Sequence, residues 1–197
     1  EELRSRHDDI EAVGLGIAGF VDADRSVVYF APNLLGWRDG PLREEVEKRV
    51  NLPVFVENDA NAAAWGEARF GAGREEGFIV CVTLGTGVGG GLVFERRVWH
   101  GRGAEAEIGH VTVRPDGRRC GCGGLGHLES YAGRASMQAK AERLVAHGEH
   151  TVLFELMAKH GRDRMTSGII ERALKHGDAM TERLMDQAVW ALGLALS

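Results

Sequence analysis

A nearly unbroken apolar run, Phe78-Ile79-Val80-Cys81-Val82-Thr83-Leu84, leads directly into Gly85-Thr86-Gly87-Val88-Gly89-Gly90-Gly91 and then into Leu92-Val93-Phe94. A run this apolar predicts a strand buried on both faces. The residues beyond the glycines are again of β type, so the glycine segment predicts the turn of a hairpin. Gly85, Gly87 and Gly90 also match the spacing of a dinucleotide-binding fingerprint. That fingerprint, however, places its ligand at the N-terminus of a helix directly after the loop. Three readings stay open at this point. The loop forms a dinucleotide site, a hairpin whose backbone N–H groups approach phosphates with the Thr86 hydroxyl as a further donor, or a turn with no ligand.

The remainder of the chain predicts an α/β architecture, because short apolar runs alternate with helical patterns. Ala12–Ala18, Val27–Phe30 and Pro53–Val56 read as strands. Pro41 opens a helix to about Val50 with Leu42, Val46 and Val50 on one face, and Asn58-Asp59 starts an alanine-rich helix to about Phe70. From Ser130 onward the pattern is helical, near 135–147, 151–160, 167–176 and 178–196. The last segment carries Met180, Leu184, Ala188, Leu192 and Ala195 on one stripe and meets no glycine or proline stop signal. A chain cut within or just after a helix is expected from that ending.

Hydrophobic residues at 44% and charged residues at 27% are the balance of a globular protein. No apolar run approaches the roughly 20 residues that span a bilayer, and nothing at the start reads as a signal peptide. A cytoplasmic location is expected. A net charge of −5 gives no basic stripe for nucleic acid, so none is expected as a partner of this chain; small-molecule chemistry is. Its 28 glycines concentrate between Gly71 and Gly133, where they serve tight backbone geometry.

Two further constellations carry chemistry. In Val56-Glu57-Asn58-Asp59-Ala60-Asn61-Ala62 a carboxylate stands at a strand-to-helix junction. It can accept the proton of a substrate hydroxyl while Asn58 fixes the substrate, or Asp59 or Asn58 can simply cap the helix, the commoner use of both residue types. The other is Glu107-Ile108-Gly109-His110 with Cys120-Gly121-Cys122-Gly123-Gly124-Leu125-Gly126-His127-Leu128-Glu129. His110, Cys120, Cys122 and His127 supply two nitrogens and two sulfurs, a tetrahedral zinc set with no open position and hence structural. Glu107 and Glu129 flank this knuckle, either as ordinary surface carboxylates or, in a sugar pocket, as acceptors for neighbouring hydroxyls.

The strings Val56–Ala64, Leu84–Gly91, Glu107–His110 and Cys120–Glu129, in this order, resemble the ROK family of repressors, open reading frames and kinases, with weaker agreement at Gly16–Asp22 and Asn33-Leu34-Leu35-Gly36-Trp37. The similarity covers roughly residues 13 to 133 and is strongest to the glucokinase branch. It implies an actin-like, ribonuclease H-like ATPase fold of two lobes, with residues 1–58 the remainder of the smaller lobe and 59–197 the larger one. It further implies ATP with magnesium as phosphoryl donor, a hexose as acceptor, a structural zinc, and a homo-oligomer, dimer or tetramer. By motif, Asp59 is the base for the sugar 6-hydroxyl, and Asn58, Glu107, His110 and Glu129 bind the sugar. Gly85, Thr86, Gly87, Gly89 and Gly90 approach the ATP phosphates.

The chain departs from the family pattern in three places. His127 stands where cysteine is usual, and histidine is itself a good zinc ligand. Ala18 stands where proline is common before Gly19, at a cost in turn rigidity. The N-terminal Asp-Gly-Gly-Thr phosphate loop and the C-terminal adenosine motif are absent, so the sequence reads as a fragment. Other readings are a sugar-sensing repressor, a kinase for N-acetylmannosamine, N-acetylglucosamine or fructose, and polyphosphate as donor.

Overall fold

The structure, a computed structural model, describes residues 6–7, 9–22, 24–30, 38–101 and 106–197. The weaker family string Asn33–Trp37 lies outside the described residues. Strands β1 (Val13–Ile17), β2 (Phe20–Val21), β3 (Val28–Phe30) and β4 (Arg38–Gly40) precede helix α1 (Leu42–Val50), strand β5 (Val54–Asn58) and helix α2 (Asp59–Phe70). Then come β6 (Phe78–Leu84), β7 (Val88–Phe94), β8 (Arg97–Val98) and a 3₁₀ turn at Ile108–His110. The chain closes with α3 (Glu129–Ala132), α4 (Arg134–Ala146), α5 (Leu153–Lys159), α6 (Ser167–Lys175) and α7 (Ala179–Leu196).

Two compact units divide these elements: residues 1–82 with 90–106, and 83–89 with 107–197. The lobe boundary expected between Asn58 and Asp59 falls inside the first unit. There α2 packs on β1 and β5, which precede it, and on β8, which follows it.

In the first unit β1 and β5 run parallel, with Val13 opposite Val54 and Ile17 opposite Asn58. A parallel pair needs a long crossover, here the antiparallel sheet β2-β3-β4 followed by α1. Alternation turns Val13, Leu15, Ile17, Val54 and Val56 to one face, where they meet Leu42, Val46 and Val50 of α1. Pro41 caps α1 without a side-chain bond, and Asn51 ends it in the left-handed conformation.

The alanines of α2 have a packing reason. Ala60, Ala64 and Ala68 recur every four residues on the buried face, letting the helix approach β7 closely. A Cβ on Gly91 would stand 2.5 Å from Ala64 Cβ and 2.9 Å from the Ala60 carbonyl oxygen, so only glycine fits there.

The hairpin is present: β6 and β7 are neighbours in the three-stranded sheet β6-β7-β8. No helix follows the glycine loop, which removes the dinucleotide reading. The expectation that β6 is buried on both faces is corrected. Ile79 and Cys81 pack towards Ala64, Ala68 and Val93, but Phe78, Val80 and Leu84 are 57%, 45% and 50% exposed. Side chains alternate across a strand, and α2 covers one face.

The second unit is mainly helical, and its core joins α4 to α7 through Met137, Leu153, Leu156, Met165, Ile169, Met180 and Leu184. Thr166 caps α6, and buried Asp178 caps α7. Asp178 Oδ1 accepts from Thr181 N at 2.8 Å, Thr181 Oγ1 at 2.7 Å and Thr151 Oγ1 at 3.0 Å, and Oδ2 accepts from Val152 N at 2.9 Å. Burial pushes this carboxyl's pKa up, but the hydrogen bonds outweigh it and hold the group below its ordinary value.

Candidate functional site

In the first unit the chemistry-bearing residues sit where β5 ends and α2 begins, outside the carboxyl end of a parallel strand pair, a preferred ligand position in α/β folds. Asn58 is the helix cap: its Oδ1 accepts from Ala60 N at 2.9 Å and Asn61 N at 3.1 Å, and its Nδ2 donates to the Gly19 carbonyl at 3.1 Å. Asp59 is the first helical residue, is exposed, and accepts through Oδ1 from Ala60 N at 3.0 Å. Its negative charge lies at the favourable end of the helix dipole.

Glu57, given no role on sequence grounds, holds this turn. Its Oε1 accepts from Asn58 N at 2.9 Å and Asn61 Nδ2 at 3.3 Å. Its Oε2 lies 2.7 Å from His100 Nε2 and accepts from Arg25 Nη1 at 3.3 Å. The alternation of β5 gives Glu57 a face, but nothing in the sequence announces partners 32 and 43 positions away.

In the second unit the tip of the hairpin meets the metal-type knuckle. The Gly85 N–H donates to the Gly87 carbonyl at 2.9 Å, and the Gly85 and Thr86 carbonyls accept from Arg134 N at 3.2 Å and Ala135 N at 3.0 Å at the start of α4. With its carbonyls engaged there, the loop is left with the Thr86 and Gly87 N–H groups making no backbone hydrogen bond among the described residues. Such a pair of N–H groups suits an anion.

Beside the loop lies a cavity of about 230 Å³ lined by Thr86, Arg134, Gln138, Glu142 and Arg164, among others. The arginines of this wall were not singled out from the sequence. Both lie more than 40 residues beyond the loop in a stretch with no motif of its own, and only the packing of α4 brings Arg134 to Leu84, whose carbonyl accepts from Nη1 at 3.0 Å.

Glu129, at the start of α3, faces the same tip: its Oε2 accepts from Val88 N at 2.9 Å, and Oε1 lies 3.8 Å from Cys120 Sγ. The 3₁₀ turn approaches so closely that a Cβ on Gly109 would be 2.1 Å from the Val88 carbonyl oxygen. This brings His110 to the knuckle, with Nε2 3.8 Å from Glu107 Oε2.

His110, Cys120, Cys122 and His127 come together, their ligand atoms all within 4.8 Å of one another. Cys120 Sγ lies 3.8 Å from His110 Nδ1 and Cys122 Sγ 3.2 Å from His127 Nδ1. Ligands about 2.0–2.3 Å from a zinc ion at tetrahedral angles are about 3.5 Å apart, so the quartet fits that ion. The knuckle is shaped by its own backbone, Cys120 N donating to the Gly124 carbonyl at 2.8 Å and Gly123 N to the Cys120 carbonyl at 3.0 Å. Burial, then the neighbouring Cys122 and Glu129, push the Cys120 thiol up to about 11 in the absence of a cation. A buried thiol that is hard to ionise alone is one a metal ion would stabilise as thiolate.

The profile of the ROK family matches residues 1–197. The chain belongs to the ROK family. The glucokinase of Streptomyces coelicolor is 44% identical over 191 residues, covering 95% of this chain and 60% of that protein. The crystal structure of a ROK family glucokinase from Streptomyces griseus in complex with glucose and AMPPNP matches with a TM-score of 0.81 at 42% identity, over 98% of this chain and 62% of that one. The xylose repressor of Bacillus subtilis is 37% identical over 137 residues, 67% of this chain and 35% of that protein. The fold is therefore the actin-like ATPase fold of ROK sugar kinases, and this ROK chain spans about 60% of the length of the Streptomyces coelicolor relative. Among the described residues no helix is long and apolar enough to cross a membrane.

Proposed function

We propose that the full-length protein transfers the γ-phosphoryl group of ATP to the 6-hydroxyl of glucose or a closely related hexose, with Asp59 as general base. The hydroxyl oxygen forms a bond to the γ-phosphorus, the bond from that phosphorus to the β,γ-bridging oxygen breaks, ADP leaves with the electron pair, and the hydroxyl proton passes to Asp59. The observation that carries the reading is the division of labour at the α2 N-terminus. Asn58 carries the cap, and the exposed Asp59 only shares the Ala60 N–H through Oδ1, so its carboxylate is not required for the helix start. The N–H groups of Thr86 and Gly87, which make no backbone hydrogen bond among the described residues, lie beside a cavity with Arg134 and Arg164 and suit the phosphates of a magnesium-bound nucleotide. Asn58, Glu107, His110 and Glu129 are assigned to sugar hydroxyls, and Gly85, Gly89 and Gly90 to the phosphate loop. His110, Cys120, Cys122 and His127 would hold zinc. Bound there, the ion would be structural, fixing the knuckle from which His110 and Glu129 project.

The similarity to the xylose repressor supports a second reading, a sugar-responsive regulator. Asp59 separates the two, since a sensor needs a pocket but no base. Asp59→Asn preserves shape and leaves the Asn58 cap intact. In the full-length protein it should lower kcat by about 10²–10⁴-fold with little change in sugar affinity. Near-normal kcat in this variant refutes the catalytic role, and sugar binding with no phosphoryl transfer in the unmodified protein favours the regulator.

A further inference from the structure

On the side of the knuckle facing α3 and α7 lies a cavity of about 470 Å³ that takes no part in the reaction described above. Its volume is that of a small-molecule site. We propose that it binds a phosphorylated sugar.

Cationic groups come first. Arg114 and Arg118 line the cavity, and neither has a carboxylate within salt-bridge distance among the described residues. Arg118 is half-buried, its guanidinium 4.6 Å above the centre of the Tyr131 ring. Its side-chain partners are neutral oxygens, the Ser130 carbonyl at 3.3 Å and Gln187 Oε1. A partly desolvated cation held by neutral acceptors retains donors and charge for an anion.

The segment bearing both arginines is fixed in advance. Val113 N and Arg114 N donate to the Gly126 carbonyl at 2.9 and 3.2 Å, Gly117 N to the Arg114 carbonyl at 3.0 Å, and Gly126 N to the Arg118 carbonyl at 2.8 Å. Binding would therefore incur little ordering cost.

The rest of the lining narrows the ligand. Trp190 of α7 stands edge-on to Tyr131 at 6.0 Å and remains 46% exposed, an aromatic platform for the apolar face of a sugar ring. Asp116 and Asp186 are acceptors for hydroxyl groups. Inorganic phosphate would use the arginines but meet two carboxylates unfavourably; a neutral sugar would use the carboxylates and leave the arginines unpaired. A ring bearing both hydroxyls and a phosphate satisfies both sets.

The inference rests on the kinase reading only for the source of the ligand, since that reaction forms a sugar phosphate. Calorimetric titration of the full-length protein, without ATP, with glucose 6-phosphate should show saturable binding that excess glucose does not displace and that inorganic phosphate matches at least tenfold more weakly. Arg114→Ala and Trp190→Ala, both at exposed positions, should each weaken binding about tenfold or more, and Arg114→Ala should leave the basal rate of glucose phosphorylation unchanged. Displacement by glucose would put the sugar phosphate in the sugar site and overturn this proposal while leaving the kinase reading intact. Unaltered affinity in both variants, equal binding of inorganic phosphate, or no binding also overturns it. Variant-sensitive binding without any kinase activity would sustain the cavity assignment and sink the kinase reading instead. A dimer that Arg114→Ala dissociates, with no sugar phosphate bound, makes the cavity a subunit contact and refutes the proposal.

Discussion

Replacing Gly91 by alanine tests the contact that sets the position of α2 and hence of Asp59. The added Cβ would lie 2.5 Å from Ala64 Cβ, 2.9 Å from the Ala60 carbonyl oxygen and 3.2 Å from Asn61 Cα. Carbon atoms at their optimum are about 3.5–4.0 Å apart. The helix must therefore retreat by about 1 Å, because two of the three obstacles are helix backbone and cannot rotate away. Overpacking of this kind costs about 1–3 kcal/mol. Against it stands a gain of about 0.4–1 kcal/mol from the stiffer unfolded chain, so a net loss of about 1–2 kcal/mol is expected.

Urea denaturation followed by circular dichroism is the assay. With a slope of about 2 kcal/mol per molar urea, the midpoint should fall by about 0.5–1 M. Gly66→Ala is the internal control: it lies in the same helix, and its Cβ would meet nothing within 4 Å. It should instead stabilise the protein by about 0.8–1 kcal/mol through helix propensity. If Gly91→Ala is as stable as Gly66→Ala, the close approach of α2 to β7 is not a constraint and the reasoning fails.

Purified protein should contain about one zinc per chain by elemental analysis, the content a single closed four-ligand site demands. A chelator should lower its Tm, and acid should release the metal as protons compete for the thiolates and imidazoles; a metal-free protein with unchanged Tm refutes the site. Asp178→Asn places an amide N–H₂ against the Val152 N–H or the Thr151 and Thr181 donors, and loss of charge-assisted bonds should cost about 1.5–3 kcal/mol at pH 7. Because the folded pKa of Asp178 lies below its ordinary 3.8, the stabilisation is complete above that value and disappears as pH falls through the folded pKa. The two proteins should converge in stability in strong acid, and a pH-independent difference measured by denaturation would refute the electrostatic account.

Local order was legible wherever a segment's period and its caps agree. Pro41, Asn58 and Asp178 each stand where the sequence led a helix to be expected, and β-type residues on both sides of Gly85–Gly91 force a hairpin whatever surrounds it. The gathering of His110, Cys120, Cys122 and His127 was legible as well, because soft ligands on a glycine-rich turn have few other uses. What the sequence left open depends on distant partners. Whether Asn58 or Asp59 caps α2 is decided by which side chain Gly19 and the strand pair hold in place. That β6 has one open face follows from α2 covering only the other. The link of Glu57 to Arg25 and His100, and the meeting of Arg114 and Arg118 with Trp190 around one cavity, join residues dozens of positions apart. Period and capping act over a few residues and are written locally, whereas burial, ion pairing and cavity lining are set by what packs alongside, which only the tertiary structure decides.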